Sequence, residues 1–211
     1  MNNSKLLKKY VNLTPTFRLV KKKYFNNHIK IDHIAHRSFN YKTLETLYNN
    51  QSFETQKDIY SFPKMNVTAT WMKSSCSRVF LSQFNGDNKV VIKNFNDYLN
   101  IKQMNDYVAW TYIHKNDINH IAIEVDDIYE IVKKIRNDNL IRLNNEYNPI
   151  QISNDGNLLQ ASTISDKIYH KFTNGDYNLV PYTFVEFVQR KNNRDGFEVE
   201  NAKEIFKSTN Y

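Results

Sequence analysis

The stretch Ile31-Asp32-His33-Ile34-Ala35-His36-Arg37-Ser38-Phe39 reads as a short β-strand. Side chains alternate between the two faces of a strand, so His33, Ala35 and Arg37 share one face. A weaker echo follows at Ile118-Asn119-His120-Ile121-Ala122-Ile123-Glu124-Val125. Aligned on the histidines, the two stretches share His-Ile-Ala, with Asp32 matched by Asn119. His120, Ala122 and Glu124 then share a face as well. In both, an alanine follows the histidine on its own face and leaves space beside the imidazole. Each stretch precedes a helical pattern, so each opens a similar unit. The rest of the chain reads as a frame that brings the two histidines together.

The chain in order supports two such units. Residues 4–25 form a helical lead-in, with Leu6, Leu7, Tyr10, Val11, Phe17, Leu19, Val20 and Tyr24 as a broken apolar stripe and Pro15 dividing it. This lead-in packs on the domain in the favoured reading and anchors to a membrane in the other. Strand 30–39 is followed by a helix from Tyr41 to Asn50, with Asn40 as its cap. Extended segments follow at 53–62, 66–73 and 78–84, and Asn85-Gly86 marks a turn. Residues 87–117 lack proline and glycine and predict one helix over about 94–115. Strand 118–125 leads into a helix capped by Asp126-Asp127, with Ile128, Ile131, Val132 and Ile135 at helical spacing. Strands are expected at about 149–153, 157–164, 166–173 and 182–190, with turns at Asp155-Gly156 and Asn174-Gly175. A last helix follows Gly196, with Ala202, Ile205 and Phe206 as its apolar side.

The expected fold class is therefore α+β. Two βαβββ-like modules form a curled sheet of vicinal oxygen chelate type around a metal pocket, with helices at both ends. One domain spans 1–211, with modules at 26–86 and 118–191, a helical connection at 87–117 and a terminal helix at 192–211. Its 211 residues and 40% hydrophobic content suffice for a real core.

The formal charge is +7, yet no arginine-rich block or zinc-finger spacing accompanies it. Lys, Asn, Ile, Tyr and Phe are abundant while Gly and Pro number 4 each, a pattern that suits an AT-rich genome. No nucleic-acid partner is expected from charge alone, although surplus positive charge helps to draw in an anionic substrate. The single cysteine, Cys76, excludes an internal disulfide and is read as a packed or partly exposed thiol. No apolar run nears the roughly 20 residues of a bilayer span, and the N-terminus lacks a signal-peptide core. A cytoplasmic location without membrane attachment is expected.

Two histidines need a third donor to hold a metal. Glu186 is the best candidate, because it lies in Pro181-Tyr182-Thr183-Phe184-Val185-Glu186-Phe187-Val188-Gln189-Arg190, a strand apolar on both faces. A carboxylate there is costly to desolvate unless it is ion-paired or metal-bound. Two imidazoles and one carboxylate make the facial triad of non-haem Fe(II) oxygenases, and zinc hydrolases use the same donors. Arg37 is placed to take a substrate carboxylate with its planar fork, or to pair with Glu124 or Glu186. Gln160 and Ser162, on one strand face of Leu158-Leu159-Gln160-Ala161-Ser162-Thr163, orient substrate or satisfy backbone groups.

Taken together, these motifs resemble the 2-oxoadipate dioxygenase/decarboxylase (hydroxyglutarate synthase) family. The resemblance rests on Asp32 to Phe39, Asn119-His120, Leu158 to Thr163, Val185 to Arg190, Gly196-Phe197 and Asn201-Ala202 in this order, over about 30–209. It implies Fe(II) on His33, His120 and Glu186, and Arg37 on the substrate. It implies a 2-oxo acid and dioxygen as reactants, with 2-oxoadipate giving 2-hydroxyglutarate and carbon dioxide. His36 stands where an apolar or aromatic residue is expected. A glyoxalase-type isomerase or lyase using zinc or nickel, and a non-catalytic protein that keeps the fold, are the alternative readings.

Overall fold

The computed structural model describes residues 14–75, 77–87, 89–198, 200 and 201, with the side chains of 57 and 58 excepted. The apolar stripe before Pro15, Cys76 and the helix expected around Ala202, Ile205 and Phe206 lie outside the described residues. The backbone falls into two compact units that interleave in sequence. The first takes the chain through Ile34, then His120–Ser165, then from Phe184 onward. The second takes Ala35–Asn119 and Asp166–Thr183.

Ten strands and five α-helices are described: α1 Pro15–Tyr24, β1 Lys30–Ser38, α2 Lys42–Asn49, β2 Glu54–Phe62, β3 Val67–Lys73, β4 Arg78–Phe84, α3 Phe95–Met104, α4 Asp106–His114, β5 Ile118–Glu124, α5 Ile128–Asp138, β6 Gln151–Ile152, β7 Leu158–Ser162, β8 Lys167–Lys171, β9 Tyr177–Pro181 and β10 Phe184–Arg190. The two βαβββ strings are β1-α2-β2-β3-β4 and β5-α5-β6-β7-β10. Their hydrogen-bonded orders are β2-β3-β4-β1 and β5-β10-β7-β6. In each string the first strand neighbours the last, and the second strand lies at the edge.

In the first unit, β10 runs parallel to β5 with Phe184 opposite His120 and Glu186 opposite Ala122. It runs antiparallel to β7 with Val188 opposite Gln160 and Glu186 opposite Ser162. Helix α5 forms although Ile128, Ile131, Val132 and Ile135 are β-branched and weak helix formers. All four are buried, and each is worth about 1.5–3 kcal/mol of burial, which outweighs the propensity loss. Asp127 caps the helix, its carboxylate accepting from the Tyr129 and Glu130 amides at 2.8 and 3.1 Å. Asn139 ends it in the left-handed region at φ 50°.

In the second unit, β3 and β4 pair Trp71 with Phe80 and Met72 with Val79. The helix expected over 94–115 is two helices, and Asn105 divides them. Its amide closes α3 on the Ile101 carbonyl at 2.7 Å, while its side chain accepts from the Val108 amide at 3.2 Å and starts α4. Asn40 is not the cap of α2: Tyr41 occupies that position without a side-chain cap bond, and the Asn40 side chain accepts from the Lys42 amide instead.

The strand expected over 182–190 is β10, which begins at Phe184, and the strand before it, β9, was not expected. β9 ends at Pro181, which has no N–H to donate. Tyr182 and Thr183 then turn away: the Tyr182 hydroxyl donates to Asp117 at 2.9 Å and the Thr183 hydroxyl to the Ile118 carbonyl at 2.8 Å. β8 and β9 form their own antiparallel hairpin about Asn174-Gly175, inserted between the third and fourth strands of the second string. One face buries Phe172 and Val180 against Ile92, Tyr98, Ala109 and Ile113. That packing seats the hairpin in the second unit.

Candidate metal centre

Three strands of the first unit carry the site. His33 stands on β1, His120 on β5 and Glu186 on β10. The β5–β10 register puts Glu186 two residues along from the position opposite His120, on the same face. The small Ala122 opposite Glu186 leaves room for the carboxylate to reach across. His33 Nε2 lies 3.1 Å from His120 Nε2. Glu186 Oε2 lies 3.2 Å from His33 Nε2 and 3.3 Å from His120 Nε2. The side chains of His33 and Glu186 are 2% and 0% exposed, and that of His120 is 11% exposed. Phe184 stacks on His120 with ring centroids 4.7 Å apart. Phe197 meets His33 edge-on at 4.8 Å.

Two of the three candidate ligands, His33 and Glu186, are held from behind. His33 Nδ1 lies 2.7 Å from Asp32 Oδ1. Burial alone would raise the Asp32 pKa, but its bonds to Arg190 and His33 outweigh this and hold it well below the usual carboxylate range. An ionised carboxylate only accepts, so His33 Nδ1–H donates and the Nε2 lone pair faces the site. Burial opposes charge on His33, yet the adjoining Asp32 and Glu186 raise its pKa overall. Burial likewise opposes charge on Glu186, but His120 and His33 bring it down to about 2. Gln160 Nε2 donates to Glu186 Oε1 at 2.6 Å, and Asn201 Nδ2 donates to Gln160 Oε1 at 2.8 Å. Glu186 Oε2 is thereby left buried with no hydrogen-bond partner among the described residues.

These features fit a cation. Ligands about 2.1 Å from one metal stand about 3.0 Å apart at right angles and about 3.4 Å apart in a tetrahedron. The observed 3.1–3.3 Å separations fall between those limits. The three residues also form a group of possible metal ligands by donor spacing. Two neutral imidazoles and one carboxylate suit Fe(II) and zinc alike.

The other candidates have partners of their own. Arg37 belongs to the second unit, where it is 2% exposed and its Nη1 donates to Asp106 Oδ2 at 3.2 Å. Its guanidinium lies over the Tyr107 and Trp110 rings. Asp106 is thus its protein carboxylate, where the alternative ion-pair reading offered Glu124 or Glu186, and Glu124 instead takes Lys30 at 2.6 Å. Ser162 is buried and accepts from Asn144 at 3.2 Å. His36, in its expected apolar position, is buried and lies 2.8 Å from the Tyr48 hydroxyl. Asp32, Arg190 and Asn201 had no role from the sequence. Strand alternation sets Asp32 on the face opposite His33 and so conceals their bond; the adjacent acid–histidine pair was the available signal.

The model of the 2-oxoadipate dioxygenase/decarboxylase family matches residues 79–193, more than half of the chain. The chain belongs to that family. The match takes in His120, Gln160, Glu186 and Arg190. A chloroplastic 2-oxoadipate dioxygenase/decarboxylase of Arabidopsis thaliana is 32% identical over 135 residues, covering 54% of this chain and 36% of the relative. The chain therefore spans little more than a third of that relative's length. Hydroxyglutarate synthase from Oryza sativa, solved in complex with 2-oxoadipate, aligns with a TM-score of 0.82 at 25% identity, over 98% of this chain and 90% of that one. A protein assigned to the glyoxalase superfamily from Ralstonia eutropha JMP134 aligns at TM-score 0.80 and 15% identity, over 93% and 84%. The family's fold is thus α+β of vicinal oxygen chelate type, as the two βαβββ strings suggest.

Proposed function

We propose that this family member is a non-haem Fe(II)-dependent dioxygenase that decarboxylates a 2-oxo acid, converting 2-oxoadipate and dioxygen into 2-hydroxyglutarate and carbon dioxide. The convergence of His33 Nε2, His120 Nε2 and Glu186 Oε2 within 3.1–3.3 Å carries the reading. Family membership and the 2-oxoadipate bound to the rice homologue support the substrate class. Fe(II) held there supplies chelation of the 2-oxo acid, activation of dioxygen and the redox chemistry.

The chain's own part is geometric and electrostatic. Asp32 keeps the His33 lone pair turned inward, and Gln160 keeps Glu186 turned so that Oε2 faces the imidazoles. Phe184 and Phe197 wall the two histidines against water. Arg37, on the His33 face of β1 by strand alternation, is assigned to the substrate carboxylate, with Gln160 and Ser162 as further polar contacts. A cytoplasmic location is part of the same proposal.

The deciding experiment loads the protein with Fe(II) without oxygen and then follows oxygen uptake across a series of 2-oxo acids. Uptake coupled to release of carbon dioxide from 2-oxoadipate is expected. Zinc- or nickel-dependent isomerisation without oxygen uptake would replace this reading with the glyoxalase-type one. Arg37→Lys should raise KM for the acid by about tenfold or more while metal content stays unchanged, because lysine lacks the planar fork. An unchanged KM removes Arg37 from the substrate site.

A further inference from the structure

We propose that Arg190 and Phe197 are positioning residues for His33, closing a ring with Asp32 that sets both the tautomer and the tilt of the imidazole. The inference rests on the metal-centre reading and deepens it. The ring can be followed atom by atom. His33 Nδ1–H donates to Asp32 Oδ1 at 2.7 Å. Arg190 grips the same carboxylate twice, Nη2 to Oδ1 at 2.9 Å and Nε to Oδ2 at 2.6 Å. The Arg190 guanidinium lies 5.6 Å from the centre of the Phe197 ring. Phe197 returns to His33 with centroids 4.8 Å apart and planes at 89°.

An imidazole on a strand has two features to fix. One is which nitrogen faces the site, and the other is the rotation of its plane. A single acceptor settles the first, provided that the acceptor cannot itself rotate. The two-point grip of Arg190 stops Asp32 from rotating. The edge contact of Phe197 settles the second. Arg190 also places Phe197, because Nη1 donates to the Gly196 carbonyl at 2.7 Å. β10 thus has two parts in the site: Glu186 is a ligand, and Arg190, at the end of the same strand, steadies another ligand. The buried Asp32–Arg190 pair is also not needed to neutralise stray charge at a surface, since the two side chains are only 0% and 8% exposed.

The test uses Co(II) as the probe, with affinity and the visible spectrum of the bound ion as readouts, and the melting temperature of the metal-free protein alongside. Two variants are compared with wild type and with His33→Ala: the double variant Asp32→Asn/Arg190→Gln, and Phe197→Leu. The double variant removes both buried charges together, so neither is stranded. Both should bind Co(II) about 10–100-fold more weakly, with a shifted spectrum, because partners behind a ligand carry that much of metal affinity. Wild-type affinity and spectrum in these variants would overturn the ring, even if melting temperatures fall. Should the double variant fail to fold, Phe197→Leu decides alone. If wild type binds no Co(II), or His33→Ala binds it as well as wild type, the metal centre falls and the ring with it. Binding that needs His33 but ignores the ring overturns this inference only.

Discussion

Glu186 has no exposed surface and sits among Phe184, Val185, Phe187 and Val188. A charge in that setting is tolerated only where opposite charge or a cation meets it. That cost is why the residue was legible in the sequence as a candidate ligand, beside the two His-Ile-Ala stretches. Each of His33→Ala, His120→Ala and Glu186→Ala is expected to remove stoichiometric metal, measured as metal content after anaerobic loading and desalting. Full occupancy in all three would refute the centre. A pH effect of opposite origin belongs to His114. Burial lowers its pKa from 6.5 to about 4, while its bond to the Pro181 carbonyl works in the other direction. Above pH 6.5 both folded and unfolded chains hold it neutral. As pH falls from 6.5 towards 4, only the unfolded chain takes up the proton, so stability declines. Glu186 adds to the decline lower down: its folded pKa of about 2 lies below the ordinary 4.5 of a free glutamate, so its contribution is present above 4.5 and is lost towards 2. Thermal melts of metal-free protein between pH 7 and 4 should therefore fall, and His114→Gln should flatten the curve above pH 4.5. An unaltered slope in that variant would exclude His114.

At the scale of elements, strands that bury one face and helices with a clear stripe were readable, and breaks within apolar runs were not. α5 was legible because its apolar positions recur at helical spacing behind an acidic cap. Asp127→Ala should cost about 0.5–2 kcal/mol, seen as a lower denaturant midpoint with an unchanged slope. No change would mean that the carboxylate bonds to Tyr129 and Glu130 contribute nothing. The division at Asn105 escaped because Val108, Trp110 and Ile113 continue the apolar content across it; the signal was Asn-Asp, a cap inside a helical run. β9 escaped because Tyr177 and Leu179 point outward, 60% and 45% exposed, so the segment lacks the pattern of a strand packed on a core. What holds the hairpin is Phe172 and Val180. Phe172→Ala should therefore destabilise the protein by about 3–5 kcal/mol. A loss below about 1 kcal/mol would show that the hairpin is held some other way.

For the whole molecule, the two βαβββ strings share one strand order, and only the second carries an inserted hairpin. The repeat was visible in the histidine stretches and the order of elements, whereas the exchange of segments between the two units was not. Exchange depends on which distant strands pair, and local periodicity is blind to that. A ligand that binds only the folded state stabilises it in proportion to the logarithm of its concentration. Fe(II) or Co(II) at 100 times its dissociation constant should thus add about 2.7 kcal/mol, and a chelator should reverse it. A melting temperature indifferent to both ions would count against a cation centre. No described helix is long and apolar enough to cross a membrane.

Arg190 reaches Asp32 across 158 positions of chain. During synthesis the polypeptide emerges from its N-terminal end, so His33 leaves the ribosome long before Glu186 and Arg190 have been made. The nascent chain cannot offer all three donors until β10 is out. On the proposed function, capture of the ion therefore follows the translation of this strand.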